Sequence, residues 1–428
     1  MKIIFYLLVV SISVFATTLD ELLQYAMHHN SIIKQSEVQI ELSELKQKES
    51  YIQQYGEFNL LGNYIHYNTA RTLAPLTPTS IGAGVPITTS KDIFYVGVNY
   101  EVSLFTGYAQ TRQIEISNIT KQMADAKMKL TKEQLVYNVR SLYLSILAQR
   151  EIVQAQMSYL KALMTLRKQI EYEVKLGKKA KIDLLKAKSN EQSVQTQIEV
   201  LKNNIEISKA TLSVLVGKKV EKLEFLKIEM TKPQYSINRL YAKVNSLTKI
   251  KIEDMAVYKA DKNIQKSEAK KLPQINFLIF AGKNYGEDLK TNEWDNKTLW
   301  QAEIGVKWNI FDFGKRDIFV QQAKIAKLDA TFKKKQTFLD LRKLLIEALS
   351  KIEQSYAEYL GNVSQLKLSK KIEKIEKVRY KNGVSTLNDF LLAKSQTQLV
   401  HAKMIESRYS YQKSKYYLEY LLEQGVTK

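Results

Sequence analysis

Two stretches decide how this chain is read: FYVGVNYEVSLFTG (Phe94–Gly107) and WQAEIGVKWNIFDFG (Trp300–Gly314). In the first, Phe94, Val96, Val98, Tyr100, Val102 and Leu104 alternate with Gly97, Asn99, Glu101 and Ser103. In the second, Trp300, Ala302, Ile304, Val306, Trp308 and Ile310 alternate with Gln301, Glu303, Gly305, Lys307 and Asn309. Side chains of an extended chain point alternately to its two sides, so each stretch predicts a strand with one apolar and one polar face. The first ends in F-T-G and the second in D-F-G, with Gly107 and Gly314 at the expected strand-to-helix junctions.

The likeness continues along the chain. Gly107 and Gly314, Gly177 and Gly383, and Gly217 and Gly425 are 207, 206 and 208 residues apart. Between them, the run from Gly177 through Asp183 to Ser189 matches the run from Gly383 through Asp389 to Ser395, both closing on Ala-Lys-Ser. A near-constant offset marks an internal duplication, so the chain reads as two tandem copies of one unit.

Each copy carries a second pattern. The five prolines all lie at or before Pro273 and none falls between Pro86 and Pro233. From Tyr108 to about Tyr172 the chain has neither Pro nor Gly and is rich in Lys, Gln, Glu, Leu and Ala, the profile of one long helix. At 1.5 Å per residue, about 65 residues extend for roughly 100 Å. After Gly177 an apolar seam steps through Val194, Ile198, Leu201, Ile205, Leu212 and Leu215, and the second copy repeats it through Val400, Met404, Tyr411, Leu418 and Leu421. Seams joined by a short glycine turn predict antiparallel helical hairpins. Partner strands are expected over about 57–67 and 273–283, with loops over about 68–91 and 284–298. The plan is thus a segment 1–16, a first repeat 17–217 with its hairpin over 108–216, a linker 218–237, a second repeat 238–425 with its hairpin over 315–424, and a tail 426–428. The fold class is mainly α, long antiparallel hairpins with four strands per chain.

Residues 1–16, MKIIFYLLVVSISVFA, combine Lys2, a short apolar run and small residues before a cut after Ala16, the pattern of a signal peptide. The run is too short for a membrane helix, and no other apolar stretch reaches 18 residues. With no cysteine there is no disulfide, thiolate metal site or cysteine nucleophile, and four His leave little for a metal cage. His28 and His29 are adjacent and on a helix point about 100° apart, so they cannot share an ion. No serine-hydrolase elbow, phosphate loop or helical His/Glu pair occurs, and the expectation is no enzyme, no cofactor and no metal. The net charge is +21, but Lys is interleaved with Glu and Gln as on a solvated helix, so no nucleic-acid partner is expected.

Strands of about ten residues suit a tilted crossing of a membrane, while the same alternation also serves a soluble sheet packed on helices. Four strands are too few to close a barrel, which begins at about eight, so several chains share one barrel or there is none. The signal peptide, the duplicated helix–strand–strand–helix–helix unit, the F-T-G and D-F-G junctions and the Gly-turn followed by Asp together resemble the outer-membrane efflux protein family, the TolC-like channels.

The resemblance implies a homotrimer whose chains each give four strands to a twelve-stranded barrel in the outer membrane of a Gram-negative bacterium. It implies hairpins forming a long periplasmic tunnel, outer-membrane lipid around the strands, and a periplasmic adaptor and an inner-membrane pump, of the RND or ABC type, as partners. Function would be that of an exit duct for efflux or type I secretion. By motif match the periplasmic constriction falls on Tyr380 and Asp389, with Asp183 as the first-copy equivalent. A second family Asp one turn later is here Leu392, leaving one carboxylate ring. The turns at Gly177-Lys178 and Gly383-Val384 would be the adaptor-docking tips. The competing reading is an exported coiled-coil structural or adhesion protein without a channel.

Overall fold

The computed structural model describes residues 17–84 and 86–426; the signal-peptide reading, on residues 1–16, lies outside them. In chain order the elements are α1 (Leu19–His29), α2 (Ser31–Ile52), β1 (Glu57–Thr72), α3 (Pro78–Gly82), β2 (Thr89–Phe105), α4 (Ala109–Lys175), α5 (Lys181–Val216), α6 (Ile237–Val244), α7 (Thr248–Ala269), β3 (Gln274–Glu287), β4 (Trp294–Lys307), α8 (Lys315–Lys381) and α9 (Leu387–Leu421). The order α–α–β–β–α–α occurs twice, with the short α3 inserted between β1 and β2 of the first copy, which is the duplication. Both α4 and α8 have 67 residues. The contacts divide the chain into two compact units, and each draws on both copies. One takes the residues up to Val38, with Ala126–Lys251 and Gln336 onward; the other takes Gln39–Asp125 and Ile252–Lys335.

The second of these holds one antiparallel sheet in the order β1-β2-β3-β4. Its strands have 16, 17, 14 and 14 residues, longer than the sequence suggests, and the loops shrink accordingly to 73–88 and 288–293. Pairing supplies what the pattern lacked: polar residues such as Asn68 and Asn284 break the alternation, yet the flanking backbone still finds ladder partners in the neighbouring strand. Against expectation, β4 stops at Lys307, so Trp308 and Ile310 follow the strand rather than end it.

In the other unit the expected seam is the buried stripe of α5: Val194, Ile198, Ile205 and Leu212 are each below 8% exposed. The second hairpin packs with α6 and α7 through Leu240, Val244, Leu341, Leu345, Ile352, Tyr411 and Leu418. Residues 218–236, within the stretch read as a linker, run without helix and are tied down by two tyrosines. The Tyr143 hydroxyl of α4 donates to the Glu224 carbonyl at 2.6 Å, and the Tyr411 hydroxyl of α9 to the Thr231 carbonyl at 2.6 Å.

One correction concerns the duplication. Gly217, at φ +82, ends α5 with its amide on the Ser213 carbonyl. Gly425 is not its counterpart; the left-handed residue after α9 is Glu423, at φ +55 and an offset of 206. A side chain is tolerated there because it caps another helix. The Glu423 carboxylate accepts from the amides of Thr248 (2.8 Å) and Lys249 (3.1 Å) at the start of α7. In the first copy the cap of α2 is Asn30, accepting from Ile32 and Ile33, so the residue after α5 is free to be glycine. Glu423→Ala should therefore destabilise this unit by about 1–2 kcal/mol. Glu423→Gly should cost less, because glycine relieves the left-handed backbone while losing the same cap. Denaturation midpoints of the two variants in detergent check the order.

Candidate functional site

The sheet has two chemically distinct faces. The register sets Phe58, Tyr100, Ile279 and Ala302 in one rank across all four strands, and Leu60, Val98, Ala281 and Trp300 in the next rank on that face. Phe58, Leu60 and Trp300 are 76%, 77% and 74% exposed. So much aromatic and aliphatic surface is not a stable boundary with water and requires lipid or protein against it. The intervening ranks, on the opposite face, carry Asn59, Asn99, Phe280 and Gln301, or Glu57, Glu101, Leu278 and Glu303, so that face is mixed and mainly polar. The outer strands β1 and β4 each pair on one side only among the described residues.

At the hairpin ends, the two turns repeat one geometry. Gly177 (φ +70) and Gly383 (φ +72) take the left-handed conformation that lets the chain leave a helix, a region where a side chain is strained. The Lys178 amide then reaches back to the Glu173 carbonyl at 2.8 Å, and the Val384 amide to the Arg379 carbonyl at 2.9 Å. Lys178 is exposed and Val384 is 67% exposed, so both tips offer side chains to solvent. Gly107 (φ +63) and Gly314 (φ +86) stand, as expected, where β2 leads to α4 and the chain after β4 leads to α8.

Asp183 and Asp389 are equivalent: each is the third residue of the returning helix. Their surroundings differ. Asp389 closes a capping box, accepting from the Thr386 amide at 3.0 Å and hydroxyl at 2.7 Å, while its own amide bonds to Thr386 Oγ1. These bonds, chiefly the hydroxyl, hold its pKa below the ordinary carboxylate range. In α5 the capping position is Ala180, with no side chain to offer Asp183. The helix-start role of Asp389 was legible in Thr386-x-x-Asp389, an S/T-x-x-acid signature.

Tyr380 is only 6% exposed and lies against the Phe390 ring, centroids 5.8 Å apart, while Lys179 of the first turn sets its ammonium 4.4 Å from the Tyr380 ring centre. The two turns are thus joined by a cation–π contact that sequence reasoning missed, since it depends on residues 201 apart in the chain. Burial first, then the Glu173 and Asp183 carboxylates, push the Tyr380 hydroxyl up to about 12, so it stays neutral throughout the physiological range. That hydroxyl is buried without a hydrogen-bond partner among the described residues. Further along, Arg167 ties α4 to α5 through Glu191 at 2.7 Å, and Lys394 ties α9 to α8 through Glu373 at 2.8 Å.

Among the described residues no cluster of His, Asp and Glu could hold a metal ion, and no helix is long and apolar enough to cross a membrane. His29 stacks on Tyr25 with ring centres 4.0 Å apart.

Comparison with known proteins gives the family. The model described as outer membrane efflux protein matches residues 67–218 and 250–422, most of the chain. No curated protein sequence matches. Among solved structures, the CmeC outer membrane channel of Campylobacter jejuni superposes with a TM-score of 0.77 at 16% identity, covering 95% of this chain and 86% of that one. The outer membrane protein VceC of Vibrio cholerae gives 0.79 at 13% identity, over 95% and 96%. The MtrE outer membrane channel of Neisseria gonorrhoeae, in its open state, gives 0.74 at 16%, over 95% and 89%. At these identities the likeness is one of fold.

Two outcomes follow from the turn geometry. Because the folded-state pKa of Asp389 lies below its unfolded value, the stability it contributes is complete above about pH 4 and lost as pH falls through the lowered value. Thr386→Ala should raise that pKa toward the ordinary range, read by carboxylate NMR titration. Tyr380→Phe, which deletes an unpartnered buried hydroxyl, should leave the melting temperature unchanged or higher, whereas Tyr380→Ala should cost about 3 kcal/mol through the cavity it leaves.

Proposed function

The chain belongs to the outer membrane efflux protein family, and from that premise we propose that three copies of it close into an exit channel through the outer membrane, passing substrates from a pump in the inner membrane to the outside. The single observation that carries this reading is the sheet: four strands, two edges unpaired among the described residues, and one exposed face that is apolar across the ranks of Phe58 and Leu60. Backbone groups in hydrocarbon must all be paired, so an open sheet can enter a membrane only by closing with others. Three chains supply twelve strands, within the range of closed barrels, and a three-fold ring is a closed symmetry. The long hairpins then make the periplasmic tunnel, their tips at Gly177-Lys178 and Gly383-Val384 receiving a periplasmic adaptor of an RND-type or ABC-type pump.

The constriction of this duct is assigned to the same turns. Threefold symmetry would repeat Asp389 and Asp183 around the axis, where crowded carboxylates favour cations. Tyr380 serves there by packing, fixing the second turn against Phe390 and Lys179. The duct itself carries no covalent chemistry, and whether its cargo is a small molecule or a protein is set by the pump.

Purified mature protein in detergent should have the mass of a trimer and give discrete conductance in planar bilayers. A non-conducting monomer would overturn the channel. Leu60→Arg or Trp300→Arg places a charge on the lipid face, costs about 2–4 kcal/mol near the bilayer midplane, and should abolish insertion. Gln301→Arg, on the opposite face of the same strand, should leave insertion intact; equal tolerance of all three would mean a soluble sheet. Asp389→Asn should alter ion selectivity or divalent block, and unchanged values would remove Asp389 from the constriction.

A further inference from the structure

The segment that crosses from the first repeat to the second is out of balance in charge. Between the end of α5 and the middle of the chain, residues 218–251 hold nine Lys and Arg against three Glu, a net of +6 within a chain whose total is +21. Two of the three carboxylates are already engaged, Glu221 by Lys219 at 2.9 Å and Glu229 by Lys227 at 4.0 Å. Lys222, Lys232, Arg239, Lys243, Lys249 and Lys251 are exposed and form no ion pair among the described residues. On a long helix, lysines interleaved with glutamates are the ordinary solvated face. That account fails here, because residues 218–236 are not helical and the acids are too few.

Within this segment the fold builds a groove. Residues 231–235 line a cavity of about 430 Å³ together with Tyr411 and Lys415 of α9. One wall is fixed: Tyr411 is buried and its hydroxyl donates to the Thr231 carbonyl, so the loop keeps its shape without a helix. Lys232 and Lys415 have no carboxylate partner among the described residues, and Gln234 and Tyr235 bring neutral donors to the same cavity. Two unpaired cations lining one concave site, with amide and hydroxyl donors beside them, suit a carboxylate. Phe225 and Tyr235 are exposed on the same segment, so the surface offers aromatic faces as well as charge.

We propose that the 218–251 segment, with its groove at Lys232 and Lys415, binds the carboxylate-bearing peptides of cell-wall peptidoglycan and tethers the duct to the wall it passes through. The inference rests on the channel reading, in which the hairpins stand between the two membranes, the space that holds the wall. Peptidoglycan is a polymer of sugar rings carrying short peptides with free carboxylates, and so repeats the two features that this surface complements. Lipid is the weaker partner, because the unit that carries the segment contains none of the four strands. An acidic protein surface would call for one compact patch, whereas these cations run along the whole segment. Three copies around a ring present three such segments, and individually weak contacts then add by avidity.

The experiment is co-sedimentation of the detergent-purified protein with isolated peptidoglycan sacculi, in about 0.1 M and then about 1 M salt. Wild-type protein should pellet with the sacculi at the lower salt and be released at the higher. Sacculi whose carboxylates have been amidated should bind about tenfold less, and K232Q/K415Q should bind native sacculi about tenfold less. K367Q/K371Q, which removes two exposed charges from α8 instead, should bind as wild type does. Each variant is first matched to wild type in oligomeric mass and conductance; should K232Q/K415Q not match, K232Q and K415Q singly carry the test, each weakening binding. Undiminished binding by the groove variants overturns the groove, and undiminished binding to amidated sacculi overturns carboxylate recognition. Retention on immobilised poly-glutamate as strong as on sacculi would make an acidic protein the better partner and overturn the wall. A conducting trimer that stays in the supernatant removes the tether and leaves the channel standing. Absence of conductance from wild-type protein overturns the channel and the inference with it.

Discussion

The constraint on which this protein depends is the unfinished sheet. Four long strands are laid side by side with ladder partners for β2 and β3 on both sides and for β1 and β4 on one. In water such edges invite uncontrolled pairing, and in lipid they leave backbone groups without partners, so the sheet has a proper environment only when other copies complete it. The exposed Phe58, Leu60 and Trp300 add the same demand from the side chains. Trimerisation is, in this reading, part of folding and not an association of finished subunits.

The helical part meets a different problem by local means. Helices of 67 residues have too little intrinsic stability to stay straight and in register alone, and they are held by pairing along apolar seams and by ties at intervals. Arg167 to Glu191, Lys394 to Glu373, and the tyrosines Tyr143 and Tyr411 on the 218–236 segment are such ties. The two copies reach equivalent ends through different chemistry. Where one helix start is capped by its own Asn30, the other borrows Glu423 from across the fold, and the residue after the returning helix changes from Gly217 to a carboxylate. After duplication the halves have diverged at their caps while keeping their seams.

The same divergence shapes the hairpin turns. Asp183 and Asp389 hold one position in two copies, yet Thr386 engages the second and Ala180 leaves the first without a cap. Tyr380, which the family resemblance placed at a constriction, is turned into the packing between Phe390 and Lys179. There it packs the two turns together, with carboxylates and lysines around it.

Much was legible in the sequence. Period-two alternation, proline-free runs, the repeated Gly-turns and the duplication gave the strands, the hairpins and the order of elements, because these depend on neighbours close along the chain. Even the cap of Asp389 was written in Thr386 three residues before it. Strand lengths, the cation–π contact of Lys179 with Tyr380, the role of Glu423 and the alignment of Glu57, Glu101 and Glu303 were not. Each of these depends on register or approach between residues far apart in the chain, and a shift of one residue in pairing would turn every one of those glutamates to the other face. Local periodicity determined what the pieces of this protein are; only the tertiary pairing of the pieces decided which charges stand together.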